Sequence, residues 1–501
     1  MLTALLIQGL VVICVVTLSA RWIDLATLRG LCLGALLLEV LGGLTSLSWV
    51  SAVDSALYLH VGVLGWGQAP FSPAVVFTFD ELSGFFFCIL AFALVLCFLF
   101  LGEYFEYDGG SVNIMLLSSL FSQLALWLFC AFDVLSMLAL WESISMVSFF
   151  LIQYWSMRIP TYKAGLKVFV ISQIGDFPFV VGLLLLLALF ETSDFGQILG
   201  SWPLWVNAYF QLGPCLVSVL GTISLLTSVA LFLKAAQFVF YPWLLDAMEA
   251  PVPISSQLHS STLVVIGFYV YLRLLPLHSF LVWEHSILIL CGGLTIVGAS
   301  VLGYFQEDGK RLLACSTASQ LGYVVVGLGL GLEKESLVLL AFACCNKAYT
   351  FIWLGILMSR WSGLSDFRLI GGAPLSWEER AGLFVAVSNV TVAPGAFSWH
   401  VKALLSRGSL VMERPVWEWG YELLALTWFF SSIYMFALYA ALFISPRRAG
   451  STPRVRLPWG GQGTRGGCGI ALLGAQVLGT LFLSSWGGGW GVYAGSVSGL
   501  G

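Results

Sequence analysis

Runs of about 18–25 mostly apolar residues recur along the whole chain, each long enough to cross a ~30 Å hydrocarbon core as a helix. They lie near residues 1–20, 30–50, 82–101, 113–131, 135–156, 164–190, 215–241, 257–276, 279–304, 312–331, 336–358, 381–405, 419–444 and 468–490. That pattern predicts an all-α, polytopic membrane protein with about fourteen transmembrane helices. Composition excludes the soluble alternative: 59% of the 501 residues are hydrophobic and 10% charged, at a mean hydropathy of +0.95, whereas soluble domains carry roughly a quarter charged residues. A net charge of -4 without any basic run gives nucleic acid no footing. The 11 cysteines show no C-x-x-C spacing and read as small packing residues rather than metal ligands. Segments 54–80 and 192–214 are broken by Gly, Pro and polar residues; they read as surface connections with room for a short hairpin.

Charge inside such spans must have a use. An amine at bilayer depth costs at least ~2.5 kcal/mol, so it faces a bundle interior and holds a partner. Lys234 sits in the apolar run 231–241, and Pro242, Pro251 and Pro253 follow it. Proline interrupts regular helix, and at membrane depth this is tolerated where protein or a cavity re-satisfies the backbone. A broken helix carrying a buried charge reads as a transport site. His259, beside Ser260, Ser261 and Thr262, opens the next span; it reads as a relay group, with hydrogen bonding at a helix start as the plainer alternative. His60, His278 and His285 fall in or near loops and are assigned solvated roles.

Glu39, Glu142 and Asp176 are acids that lie well inside spans. Each can also be a protonated carboxyl that is simply hydrogen-bonded. Lys234 is the cation at comparable depth in a nearby span, and so the expected mate of Glu142. A pair ~4 Å apart at an effective dielectric of ~20 gains ~4 kcal/mol, and separating it would release the amine's proton. Lys347, the break at Ala393-Pro394-Gly395, and Lys402 give the second half a similar design, which suggests structural repeats around a midplane path. Phosphate-cradling loops, H-E-x-x-H and paired haem histidines are missing from the sequence, so no enzyme site is read in it.

Several strings follow one another in a single colinear order within about residues 75–445. They are Trp141-Glu142; Ala164-Gly-Leu-Lys167 with Ile174-Gly175-Asp176; Asp246-Ala-Met-Glu249-Ala-Pro-Val-Pro253 with Leu258-His259-Ser-Ser-Thr262; and Lys310-Arg311-Leu-Leu-Ala-Cys-Ser316-Thr-Ala-Ser-Gln320-Leu-Gly322. Together they closely resemble the NADH:ubiquinone oxidoreductase chain 5 family, the distal antiporter-like membrane subunits of respiratory complex I. The resemblance implies two inverted five-helix repeats and a proton relay through Glu142, Asp176, Lys234, His259, Lys347 and Lys402, with Lys402 at the exit. It also implies that this chain has no cofactor of its own, with NAD, FMN, Fe-S clusters and ubiquinone in partner subunits. Expected partners are other membrane-arm subunits, above all a neighbouring antiporter-like chain, and membrane lipids. The expected location is the mitochondrial inner membrane, with a bacterial plasma membrane as the alternative. Two other functions stay open: a cation/proton antiporter subunit of the same fold, and a structural subunit that has lost pumping.

Departures from the family pattern affect the relay. Leu339 and Ala343 stand where histidines are common, Gln173 replaces an arginine, and Trp399-His400-Val401 separate Phe397-Ser398 from Lys402. The expected division is an N-terminal unit 1–110, half-channels 111–276 and 277–445, and a basic loop, last span and Gly-rich tail over 446–501. Family members continue into a long lateral helix and anchor of on the order of a hundred residues. Here that element is expected to come from a separate polypeptide or to be absent. Basic residues concentrate on alternate loops (Arg158, Lys163, Lys310, Arg311, Arg360, Arg447, Arg448), opposite Arg273, Lys334, Arg407 and Arg414. The positive-inside rule therefore places the 447–465 loop on the matrix or cytoplasmic face. A cysteine introduced there should react with an impermeant thiol reagent from that side alone, and labelling from the other side would invert the topology.

Overall fold

The computed structural model describes residues 25–53, 56–63, 74–360 apart from 107, 213–214, 261 and 280, then 363–366, isolated positions between 380 and 391, and 418–443. The long helices are α1 (Leu25–Val53), α2 (Glu81–Tyr104), α3 (Ser111–Cys130), α4 (Val134–Ile152) and α5 (Ile159–Phe190). A short α6 (Phe195–Ser201) precedes α7 (Val219–Lys234), α8 (Pro242–Asp246), α9 (Val252–Ser260), α10 (Leu263–Arg273) and α11 (Leu275–Ser279). Then come α12 (Val282–Phe305), α13 (Gly309–Gly329), α14 (Glu333–Arg360) and α15 (Glu418–Phe443). Among the described residues, 8 helices are long and apolar enough to cross a membrane. Of the remaining windows, 215–241 and 257–276 are interrupted helices, and the others reach into residues outside the described set.

Two expected spans are broken. The 215–241 window stops as helix at Lys234. Ala236 (φ 51) takes the left-handed conformation, and the Ala236 and Gln237 amides fold back onto the Leu233 and Phe232 carbonyls, a C-terminal cap that normally uses glycine. An alanine there costs roughly 1 kcal/mol, and Pro242 then restarts the chain as α8. The 257–276 window divides between α9 and α10 around residue 262, so His259 lies in the last turn of α9 rather than opening a helix.

Both polar connections form antiparallel hairpins, β1 (Leu57–Val63) with β2 (Ala74–Phe79) and β3 (Tyr209–Leu212) with β4 (Cys215–Ser218). The first is tied to the α3–α4 corner: Phe132 N donates to the Val76 carbonyl, and Val76 N donates to Asp133 Oδ1 at 3.0 Å. Asp133 also caps α4 through Ser136 N. At this end Asp80 caps α2 in a reciprocal box with Ser83 (2.8 and 2.7 Å) while its carboxylate takes both guanidinium arms of Arg273, one at 2.9 Å. Arg273 Nε also donates to Tyr269 Oη, which donates to the Phe129 carbonyl. One aspartate thus joins α2, α10 and α3. The opposite end holds Arg29 with Glu103 (3.2 Å), Lys167 with Asp246 (3.0 Å) and Arg311 with Glu249 (3.5 Å), in keeping with the expected charge asymmetry.

Burial alone would push the Asp80 carboxyl up, but the Arg273 charge and its hydrogen bonds, with those of Ser83, outweigh it and hold the carboxyl below its ordinary 3.8. A depressed folded value stabilises above the unfolded one and is lost as pH falls through the folded one. Asp80→Asn should therefore destabilise the detergent-solubilised protein by on the order of 3 kcal/mol at pH 7. The gap from wild type should close as pH falls through the depressed folded value. Thermal unfolding followed against pH checks both statements, and a constant gap would show that Asp80 acts without its charge.

Candidate functional site

Lys234 is the last residue of α7 and only 3% exposed. A helix C-terminus presents unpaired carbonyls and a partial negative charge, so a cation there is favoured even before it finds a counter-ion. Its counter-ion is Asp176, in the middle of α5 and 1% exposed, with Nζ to Oδ1 at 3.0 Å and to Oδ2 at 3.2 Å. Nζ also donates to Ser145 Oγ at 2.6 Å and lies 5.0 Å from the centre of the Trp141 ring. Trp141 Nε1 donates to Asp176 Oδ1 at 2.7 Å, and Ser145 Oγ lies 3.2 Å from Oδ2. Every charge in this buried junction is therefore partnered, the condition under which a buried pair persists.

Two glycines make the junction possible. A Cβ on Gly175 would come within 2.3 Å of Leu233 Cδ1, and one on Gly267 within 3.2 Å of Lys234 Cβ. Without side chains, α5 and α10 close onto the end of α7, the small-residue approach that membrane helices use. Nearer the start of α7, Leu231 is buried one turn before Lys234, and Thr227 lies one turn further back on the same face.

The expected Glu142–Lys234 pair does not form. Glu142 is half-buried and accepts from Gln173 Nε2 at 3.3 Å. Helical geometry gives the reason: Trp141 and Ser145 stand four residues apart on the face turned to Lys234, which points Glu142 about 100° away. Trp141 and Ser145 were missed as site residues, although their spacing beside Glu142 marks that face. Lys167 is exposed and paired with Asp246.

His259 is 2% exposed, and neither ring nitrogen has a hydrogen-bond partner among the described residues. Its ring lies 6.0 Å from that of Trp243 and 6.3 Å from that of Phe351. Trp243 Nε1 donates to the carbonyl of Leu233, next to Lys234, and Phe351 stands one turn after Lys347. Lys347 is buried on α14 and donates to Ser316 Oγ of α13. His259 thus lies between the two lysines. Ala343 and Leu339, one and two turns before Lys347, are buried. Glu39 is buried on α1 and accepts from Gln123 Nε2 at 2.7 Å. His60 is exposed, but His278, assigned to solvent, is 1% exposed. Lys402 and the Pro394 break lie outside the described residues.

Comparison with known proteins places the chain in a family. The family described as NADH:quinone oxidoreductase/Mrp antiporter, transmembrane, matches residues 131–405, more than half of the chain. The chain belongs to this family. NADH-ubiquinone oxidoreductase chain 5 of Chondrus crispus is 32% identical over 59% of this chain and 44% of its own length. That of Marchantia polymorpha is 26% identical over 79% and 60%. A chloroplastic NAD(P)H-quinone oxidoreductase subunit 5 of Anthoceros angustus is 27% identical over 81% and 56%. The chain spans about half the length of these relatives. Its fold is antiporter-like: a chain of an archaeal membrane-bound sulfane sulfur reductase superposes at TM-score 0.75 and 17% identity, covering 96% of this chain and 93% of that one. A chain of the Mrp complex from a Dietzia species gives 0.75 at 23% identity, covering 94% and 49%. The protein is a multi-pass membrane protein, and the matched family segment contains both lysine sites and His259.

The geometry separates the two carboxylates. Asp176→Asn, which strands a buried amine, should destabilise the protein by ~3–5 kcal/mol, while Glu142→Gln should cost less than about 1 kcal/mol. Thermal unfolding of both variants in detergent tests the assignment, and equal losses would restore Glu142 as the partner.

Proposed function

We propose that this chain is the proton-translocating, antiporter-like membrane subunit of an NADH:quinone oxidoreductase. The observation that carries the reading is the Lys234–Asp176 pair, buried where a helix breaks inside the matched family segment. An amine there has two stable conditions: charged against Asp176, or neutral once the carboxylate moves away and desolvation dominates. Trp141 Nε1 and Ser145 Oγ remain as donors to Asp176 while the amine is neutral, so losing the proton does not strand the carboxylate. A small displacement between α5 and α7 is enough to switch the site, because the pair spans the two helices. His259 and Lys347 continue the path into the second half, and Lys402 takes the exit.

On this reading, electron transfer, NAD, FMN, Fe-S clusters and ubiquinone belong to partner subunits of the assembly. A neighbouring antiporter-like chain borders this one in the mitochondrial inner membrane or an equivalent bacterial membrane. The relatives matched by sequence are named as NAD(P)H-quinone oxidoreductase chains, which favours a redox-driven pump over a stand-alone antiporter.

Substitution at Lys234 tests the proposal in the intact assembly. Lys234→Arg keeps a cation on Asp176 but cannot release a proton at any accessible pH. It should preserve assembly and lower the proton-to-electron ratio, as Lys234→Ala should. A normal ratio in both variants, from simultaneous proton-release and NADH-oxidation measurements, would overturn the proposal.

A further inference from the structure

Close to the hairpin-bearing end of the protein, a second buried acid–base cluster lies apart from the Lys234 site. His278 on α11 and Glu284 at the start of α12 are each 1% exposed, with Nδ1 2.6 Å from Oε1. The His278 ring stacks on Tyr271 of α10, centroids 4.2 Å apart and planes at 23°. Its Nε2 lies 3.4 Å from Thr227 Oγ1 of α7. The other carboxylate oxygen, Glu284 Oε2, is buried without a hydrogen-bond partner among the described residues.

Thr227 Oγ1 lies 3.0 Å from both Ile223 O and Ser224 O; with its hydrogen directed to either carbonyl, it is an acceptor toward His278, and Nε2 then carries a hydrogen. Two forms of the dyad satisfy this: an imidazolium beside a carboxylate, or a neutral Nε2–H imidazole accepting at Nδ1 from a protonated Glu284. They differ only in which side of one short hydrogen bond holds the proton. Loss of the Nε2 proton leaves neutral His278 donating from Nδ1 to a carboxylate, ready to take up the next proton. The free Oε2 is where that proton can arrive.

The surroundings give the dyad a direction. Thr227 lies seven residues before Lys234 on α7, about 10 Å along the axis and on the same face. On the other side, Glu333 at the start of α14 is half-buried and within electrostatic reach of Tyr271, and Lys334 beside it is exposed. Arg273, two residues past Tyr271, is committed to Asp80. The ionisable groups around the dyad thus lead from an exposed edge inward toward Lys234.

We infer that His278 and Glu284 form the proton-exchange station through which the Lys234 site communicates with the aqueous face opposite the basic loops. The inference rests on the proton-translocation reading above. In the intact assembly reconstituted into vesicles, Glu284→Gln and Thr227→Val should each slow proton pumping at least about tenfold. Both should also flatten its dependence on the pH of the compartment facing the hairpins. Thr227→Ser, which keeps the hydroxyl, should restore both properties. Should Glu284→Gln fail to assemble, as judged on native gels, the Thr227 variants decide: a difference between Val and Ser supports the station, and equal pumping overturns it. Loss of pumping in Lys234→Ala together with wild-type rate and pH dependence in Glu284→Gln and Thr227→Val would refute this inference alone. Normal pumping in Lys234→Ala would refute the translocation reading and this inference with it.

Discussion

An amine cannot be left unpartnered in hydrocarbon, and much of the middle of this protein follows from meeting that condition for Lys234. The helix that carries it must end there, so that carbonyls face the charge. A carboxylate must come from another helix, and hydroxyl and indole donors must fill the remaining positions. Four elements converge to do this: α7 with the amine, α5 with Asp176, α4 with Trp141 and Ser145, and α10, whose Gly267 lets it lie against the lysine stem. A replacement that removes one partner leaves the other charged and dry, and that is costlier than the pair was ever favourable.

The same logic accounts for how the ends are finished. Helices crossing lipid satisfy their own backbones, but the chain between them must pair with something. Here the first hairpin hydrogen-bonds the α3–α4 corner, and Asp80 and Asp133 each cap a helix while holding a second element. Short polar side chains therefore act as joints at one end, and long ion pairs such as Lys167–Asp246 serve at the other.

Much of this was legible in the sequence, because bilayer thickness imposes a length on every span and the cost of buried charge makes each internal lysine conspicuous. The breaks after Lys234 and near His259 were signalled by their prolines and polar residues. The partner of Lys234 was misread. Comparable depth in a nearby span pointed to Glu142, and only the shared face of Trp141 and Ser145, with Gly175 clearing the way for Leu233, selects Asp176. The replacement of a family arginine by Gln173 proved informative in a way not anticipated, since that amide now holds Glu142. His278 was misplaced because a histidine near a loop looks solvated until the α10–α12 turn folds it under Tyr271.

Leu231 lies between the hydroxyl of Thr227 and the amine of Lys234 on one face of α7, buried and apolar. An unbroken file of hydroxyls and water at that point would be a short circuit, since each proton slipping back across a membrane at 100 mV dissipates about 2.3 kcal/mol. One turn of dry hydrocarbon is insulation. On the proton-translocation reading, that leucine would mark where the conductor is cut, so that charge would cross only when the helices themselves move.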